Sequence, residues 1–306
     1  MTGTPRLGTR GSPLAMIQAR SVAAAMEAAR GWPAGHVDIV VIKTSGDRIK
    51  DRPLAEVGGK GLWTKEIDSA LLRGDVDFSV HSVKDVEAIR PDAIRLSAVM
   101  PRTDIEDILI GAASVAAIRA GAIFGTSSPR RAAQMLAARP DLRIVPLRGN
   151  VETRLNKLDA GDIDATILSS AGLQRLGLGH IGTAIPFDVM LPAPGQGAIG
   201  IECRSDDPAA IELAASIDDA ASHAMVLAER AFTRALGGSC HSPVAAMATM
   251  EDGQIQLRAE ILSEDGKERV RDSAGFAPRD DDAAAALARA MLDAAPPSIR
   301  TLFANA

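Results

Sequence analysis

Gly8-Thr-Arg-Gly-Ser-Pro13 with Gln18, and Gly125-Thr-Ser-Ser-Pro129 with Gln134, share one layout although more than a hundred residues separate them. Each reads as a strand that runs into the start of a helix. Serine at an N-cap with proline at the first helical position is a preferred helix opening, and the free N–H groups there attract anions. Arg10 lies within the first copy, and Arg130 and Arg131 follow the second. The chain therefore reads as two similar halves, each with a cationic helix mouth, which implies a cleft for a negatively charged ligand.

A second internal match supports the duplication. Gly74-Asp-Val-Asp-Phe-Ser-Val-His-Ser82 aligns with Gly161-Asp-Ile-Asp-Ala-Thr-Ile-Leu-Ser169, each after an amphipathic helix, over 62–73 and 151–160. Glycine ends the helix and a short strand follows. Further strands are predicted over 37–43, 94–99, 107–110, 143–147 and 197–202, between alanine-rich helices. That alternation predicts an α/β fold with mostly parallel sheets, whose ligands bind beyond the carboxyl ends of the strands. Met100-Pro-Arg-Thr-Asp104 leaves the first half and Met190-Leu-Pro-Ala-Pro-Gly195 leaves the second, two crossings that suggest a hinge. The strand over 197–202 is expected to return to the first sheet, since alone it has nothing to pair with. The domains expected are 1–99 plus 197–217, 104–192, and a smaller α+β domain over 219–306. In the last, helices over 222–236 and 281–294 flank short strands joined at Asp252-Gly253 and Asp265-Gly266, Asp-Gly being a hairpin signal.

With 306 residues the chain suits two or three domains. A net charge of −5 argues against nucleic acid as the main partner, and 3% aromatics with no tyrosine argues against base-stacking platforms. The polar start, Met1-Thr-Gly-Thr-Pro-Arg6, gives no secretory signal or membrane span, so a cytoplasmic protein is expected. Cys203 and Cys240 form no disulfide framework and no zinc pair, and no histidine has metal-ligand spacing.

The chemistry is most exposed at Leu236-Gly-Gly-Ser-Cys-His-Ser-Pro243, a polar, glycine-rich setting that favours a reactive thiol at Cys240 over a buried one. Cys203, inside Ile199-Gly-Ile-Glu-Cys-Arg204, reads as core. Phe78-Ser-Val-His-Ser-Val-Lys-Asp85 is a strand that exits into titratable groups, with Asp85 beside Lys84 placed as an acid or as the stabiliser of a developing cation. Asp85 as a turn cap is the plainer alternative, and alternation makes His81 at least as plausible a packed residue as a base. Arg148 follows the strand over 144–147, Arg154 lies one turn into the next helix and Arg175 follows Ser169 to Gln174, so several arginines fall just after strands, where a ligand would sit. Guanidinium forks match carboxylates, at roughly 1.5–3 kcal/mol per charged hydrogen bond, so several of them imply a polycarboxylate. Gly58-Gly-Lys-Gly61 lacks Walker spacing, and 44–61 reads as a mobile flap.

Together these motifs resemble the porphobilinogen deaminase (hydroxymethylbilane synthase) family. The matching stretches are Leu7 to Ala15, Gly58-Gly-Lys-Gly-Leu62, His81-Ser-Val-Lys-Asp-Val86, Gly125-Thr-Ser-Ser-Pro-Arg-Arg131, Leu147-Arg-Gly-Asn-Val151 with Thr153-Arg-Leu155, Leu191-Pro-Ala-Pro-Gly-Gln-Gly-Ala198 and the Cys240 loop. The resemblance implies two lobes like periplasmic binding proteins with a hinge, plus a C-terminal domain that carries the cysteine. It implies a transferase of porphyrin biosynthesis, monomeric, in which Cys240 holds a dipyrromethane cofactor by a thioether. Four porphobilinogen units extend this primer, and hydrolysis releases hydroxymethylbilane, with hand-off to uroporphyrinogen III synthase a further expectation.

By the same resemblance Asp85 and Lys84 are catalytic. Asp85 hydrogen-bonds pyrrole N–H groups and stabilises the azafulvene cation. Ser128, Arg130 and Arg131 join Lys84 and Asp85 in holding the cofactor. Arg10, Ser12, Arg148, Arg154 and Arg175 bind substrate carboxylates, and Lys60 and Trp63 belong to the flap. Trp63 stands where phenylalanine is common in the family, Glu87 where proline is usual, and Ser239 where glycine is frequent. Two rivals remain at this point: a non-catalytic anion-binding module with the same hinged fold, and a thiol-dependent transferase using Cys240 with His241.

Overall fold

The computed structural model describes residues 3–44, 64–238 and 242–303. Its first sheet grows from β1 (Arg6–Thr9), which pairs in parallel with β2 (Asp38–Val41) and β3 (Phe78–Ser82). The helix Pro13–Arg30 follows β1, opened by Ser12 and closed by Gly31 at φ 64°. Gln18, Ala19, Val22, Ala23 and Met26 recur at helical spacing and form its buried face. Ala19, Val22, Ala23 and Met26 pack with Leu7, Phe78 and Ile201, side chains whose burial stabilises by roughly 1.5–3 kcal/mol each. β4 (Ile94–Val99) forms the far edge of this sheet.

The second sheet repeats the plan with β5 (Asp107–Ile110), β6 (Ile123–Gly125), β7 (Arg143–Val145), β8 (Ala165–Ser169) and β9 (Thr183–Ala184). With β10 (Ile199–Arg204), the orders are β2-β1-β3-β10-β4 and β7-β6-β8-β5-β9. Strand for strand, these are the same arrangement. β10 lies between β3 and β4, so the chain does return to the first sheet after its excursion through the second.

The expectation of mostly parallel sheets holds, four of the five strands in each sheet running in one direction. In each sheet the fourth strand, β10 or β5, is antiparallel to both neighbours. Neither strand arrives by a helical crossover from its neighbour, and only such crossovers impose parallel pairing.

The repeated glycines are explained by close packing. A Cβ at Gly8 would lie 3.0 Å from Ile42 Cδ1 and 3.1 Å from Val76 Cγ2, while one at Gly125 would lie 2.8 Å from Ile163 Cδ1 and 3.0 Å from Leu147 Cδ2. Equivalent strand ends thus leave room only for hydrogen where they cross the following layer.

The C-terminal sheet is an antiparallel meander of β11 (Val244–Glu251), β12 (Gln254–Leu262) and β13 (Arg269–Phe276). The first hairpin turns through Asp252 and Gly253 at φ 49° and 75°, the left-handed pair that an Asp-Gly turn needs. Phe232 from the helix Ala220–Ala235, Met291 from the helix Asp281–Ala294, and Ile255 and Leu257 from β12 build its core.

By contacts the chain divides into two compact units, Met1–Thr103 with Gly197–His223, and Asp104–Gln196 with Ala224–Ala306. Among the described residues no helix is long and apolar enough to cross a membrane.

Candidate active site

In the first unit, Asp85 is delivered by a change of backbone. β3 stops at Ser82, and Val83–Asp85 form one 3-10 turn, with the Val86 N–H on the Val83 carbonyl at 3.0 Å. Val83 is the buried member of this turn, and its N–H donates to the Ala198 carbonyl at 3.1 Å. The turn therefore leaves Lys84 half-buried and Asp85 exposed.

Beside the turn lies the start of the helix Pro13–Arg30. Ser12 Oγ accepts the Ala15 N–H at 3.3 Å, as the Ser-Pro pattern predicts. Gln18 Nε2 donates to Ser82 Oγ at 2.8 Å, joining helix to strand end. Arg10, Ser12, Gln18, His81, Ser82 and Asp85 line a recess of about 50 Å³. A guanidinium and a helix N-terminus suit a carboxylate, and the Asp85 carboxylate suits an N–H group or a cation. That donor set fits an acidic pyrrole.

His81 joins the recess to a largely buried charge cluster. Arg90 donates from Nη1 and Nη2 to Asp68 at 3.0 and 2.6 Å, and from Nε and Nη2 to Glu202 at 2.9 and 2.8 Å. Glu202 Oε2 also lies 3.6 Å from His81 Nε2. His81 is packed, and burial pushes its pKa down, against the pull of Glu202. Asp68, His81 and Glu202 have the mutual spacing of metal ligands, but the Arg90 guanidinium already bonds to both carboxylates and is the cation of this cluster.

In the second unit the Ser128 helix start repeats the Ser12 geometry, Ser128 Oγ accepting the Arg131 N–H at 3.4 Å. The arginines that follow do not face outward. Arg130 Nη1 lies 2.8 Å from Asp107 Oδ2 and Arg131 Nη2 lies 2.6 Å from Asp107 Oδ1, with Asp107 itself buried. Arg130 also donates to the Leu191 carbonyl and to Gln134 Oε1, and Arg131 to the Ile167 carbonyl. Desolvation lowers the Arg130 pKa despite Asp107. Two guanidinium groups against one carboxylate leave this trio with a surplus positive charge.

Arg148, Arg154 and Arg175 are half-buried. Arg148 precedes Gly149, where the φ of 108° and a Cβ that would lie 2.7 Å from Thr153 Cβ exclude any side chain. Arg154 Nε donates to the Gly149 carbonyl at 3.0 Å. Arg175 ends the helix Ser170–Arg175, where burial draws its pKa down.

Residues 6–212 match the family model described as "Porphobilinogen deaminase, dipyromethane cofactor binding domain", and residues 223–291 match the porphobilinogen deaminase C-terminal domain. The chain belongs to the porphobilinogen deaminase family. The porphobilinogen deaminase of Sphingopyxis alaskensis is 52% identical over 306 residues, covering 98% of this chain and 96% of that one. That of Paracoccus denitrificans is 48% identical over 268 residues, covering 87% of this chain and 86% of that one. Among solved structures, an ancestral cationic amino acid solute binding protein aligns at 16% identity with a TM-score of 0.44, over 70% of this chain and 87% of that one.

Of the positions assigned through the porphobilinogen deaminase resemblance, Cys240, Lys60 and Trp63 lie outside the described residues, as do Ser239, His241 and the expected flap beyond Thr44. Cys203 is core, fully buried with Ser97 Oγ 2.9 Å from its sulfur. Sequence reasoning missed Asp68, Arg90, Glu202 and Asp107. The available signal was Glu202 in an otherwise apolar strand, because a buried carboxylate requires a partner.

Proposed function

We propose that Asp85 is the carboxylate around which this chain, a hydroxymethylbilane synthase of the transferase class, carries out its chemistry. The reaction is the sequential deamination and head-to-tail condensation of four porphobilinogen units, then hydrolytic release of hydroxymethylbilane. Held on Cys240, the dipyrromethane cofactor supplies the pyrrole end that is extended. Asp85 accepts hydrogen bonds from pyrrole N–H groups and stabilises the positive charge that appears as porphobilinogen loses ammonia, an electrostatic role for a fixed carboxylate. Lys84 sets an ammonium beside it for the acidic side chains.

Arg10 and Ser12 take a substrate carboxylate at the helix start in the same recess. Arg148, Arg154 and Arg175 bind the acetate and propionate groups that accumulate as the chain grows. Ser128, Arg130 and Arg131 belong to cofactor binding, the two arginines through the surplus positive charge that they and Asp107 carry. Lys60 and Trp63 belong to the flap. The division into 1–99 plus 197–217, 104–192 and 219–306, the monomeric state, the cytoplasmic location and transfer of product to uroporphyrinogen III synthase complete the reading on family resemblance.

The observation that carries the residue assignment is the shared recess of Asp85, Arg10 and Ser12. Intact mass tests the covalent part. Protein from cells that supply porphobilinogen should be heavier than its sequence by one dipyrromethane, and Cys240→Ala should have the bare mass. Unmodified wild-type protein from such cells would reject the assignment.

A further inference from the structure

Six residues, 84–89, separate two attachments to one strand. At the start of the catalytic turn the Val83 N–H is fixed to the carbonyl of Ala198, the residue before β10 begins at Ile199. At its end Arg90 is fixed through both Nε and Nη2 to Glu202, on β10 itself. The remaining fork of Arg90 holds Asp68 on the helix Lys65–Arg73. Apolar burial does not do this work at Ile89, the residue before the anchor, which is 63% exposed.

We propose that Arg90 is a positioning residue for Asp85: its bidentate grip on Glu202 and Asp68 closes the segment that begins at Val83 and fixes where the Asp85 carboxylate points. This rests on the reading of Asp85 given above. A planar guanidinium is needed because four of its N–H groups are used at once on two carboxylates, which an ammonium cannot reproduce. The two carboxylates are themselves seated, Asp68 on a helix and Glu202 on a central strand. His81, from the strand that feeds the turn, leans on Glu202 Oε2 with Nε2, which has no hydrogen-bond partner among the described residues. Strand and anchor therefore meet at Glu202, and the turn between them is tied to Ala198 just ahead of the same strand. A turn released at Arg90 keeps its carboxylate but loses its aim, and a misplacement of about 1 Å costs on the order of 100-fold in rate.

The test uses Arg90→Lys and Arg90→Met as cofactor-loaded enzymes, loading checked by intact mass, with Asp85→Asn alongside. Expected for both Arg90 variants is a fall in kcat of about 10- to 100-fold with KM within about twofold, the pattern of a misaligned group rather than lost binding. Hydrogen exchange should rise at least tenfold for amides of residues 84–90 and stay unchanged in the C-terminal sheet. Should Arg90→Met not fold, Arg90→Lys, which keeps the charge, is decisive. Wild-type kcat per loaded enzyme, or unchanged exchange over 84–90, in folded Arg90→Lys would overturn the proposal. An inactive Asp85→Asn beside a normal Arg90→Lys refutes the positioning role alone, and an active Asp85→Asn refutes the reading beneath it.

Discussion

Gln18 Nε2 donates to Ser82 Oγ at 2.8 Å, and this contact ties the helix opened by Ser12 and Pro13 to the strand end that delivers Lys84 and Asp85. Its counterpart, Gln134, is used differently. Gln134 Nε2 donates to Glu260 Oε2 at 2.6 Å while its Oε1 accepts from Arg130, so the repeated glutamine links the second helix start to β12 of the C-terminal sheet. Gln18→Leu should lower kcat/KM about fivefold, the equivalent of one neutral hydrogen bond of about 1 kcal/mol, while leaving cofactor loading intact. Steady-state kinetics on loaded enzyme checks this. Unchanged kcat/KM would show that the link does not support the site.

Much of this architecture was legible because local chemistry is repeated. The Ser-Pro starts at Ser12 and Ser128, the glycine stop at Gly74 and the Asp252-Gly253 hairpin each carry their own instruction, and the structure obeys all four. The reversed direction of β5 and β10 was not legible, since both are placed by tertiary pairing. The inward turn of Arg130 and Arg131 was hidden for a similar reason. Their partner Asp107 opens β5, whose place in the second sheet is set by pairing with β8 and β9, and nothing local to either segment announces that meeting.

Glycine at the two strand ends makes a steric prediction. Gly125→Ala should destabilise by about 1–3 kcal/mol, because its Cβ meets Ile163 Cδ1 at 2.8 Å in a packed layer. Ile163→Val removes that atom and should recover part of the loss. Thermal unfolding of the single and double variants checks this. Additive losses in the double variant would contradict it.

Removing the shared carboxylate should be worse. Asp107→Asn leaves the buried forks of Arg130 and Arg131 without their counter-charge, and breaking such a pair costs about 3–5 kcal/mol. A sharply lower Tm is expected. A Tm within a degree or two of wild type would mean that the two charges find compensation elsewhere.

His81 makes stability depend on pH. Burial lowers its folded pKa below the ordinary 6.5, with Glu202, Asp68 and Asp85 pulling it up and Arg90 pushing it down. Between the folded and unfolded values the unfolded chain binds the extra proton, so this contribution is present above about pH 6.5 and is lost as pH falls below it. The slope is at most about 1.4 kcal/mol per pH unit for one proton. His81→Gln should flatten the fall in Tm between pH 7 and 5.5, and an unchanged slope would exclude His81 as its source.

The claim on which the rest depends is that the Asp85 carboxylate stabilises the charge developed when porphobilinogen loses ammonia. Asp85→Asn changes one exposed oxygen into an amide and leaves the Val83–Asp85 turn its backbone bonds. The direct measurement is hydroxymethylbilane formation by this variant, with circular dichroism matching wild type and cofactor loading read by intact mass. Loss of at least about 100-fold in kcat is the expected result, the scale of removing one group that stabilises transition-state charge. A folded, loaded Asp85→Asn enzyme working within a few-fold of wild type would contradict it.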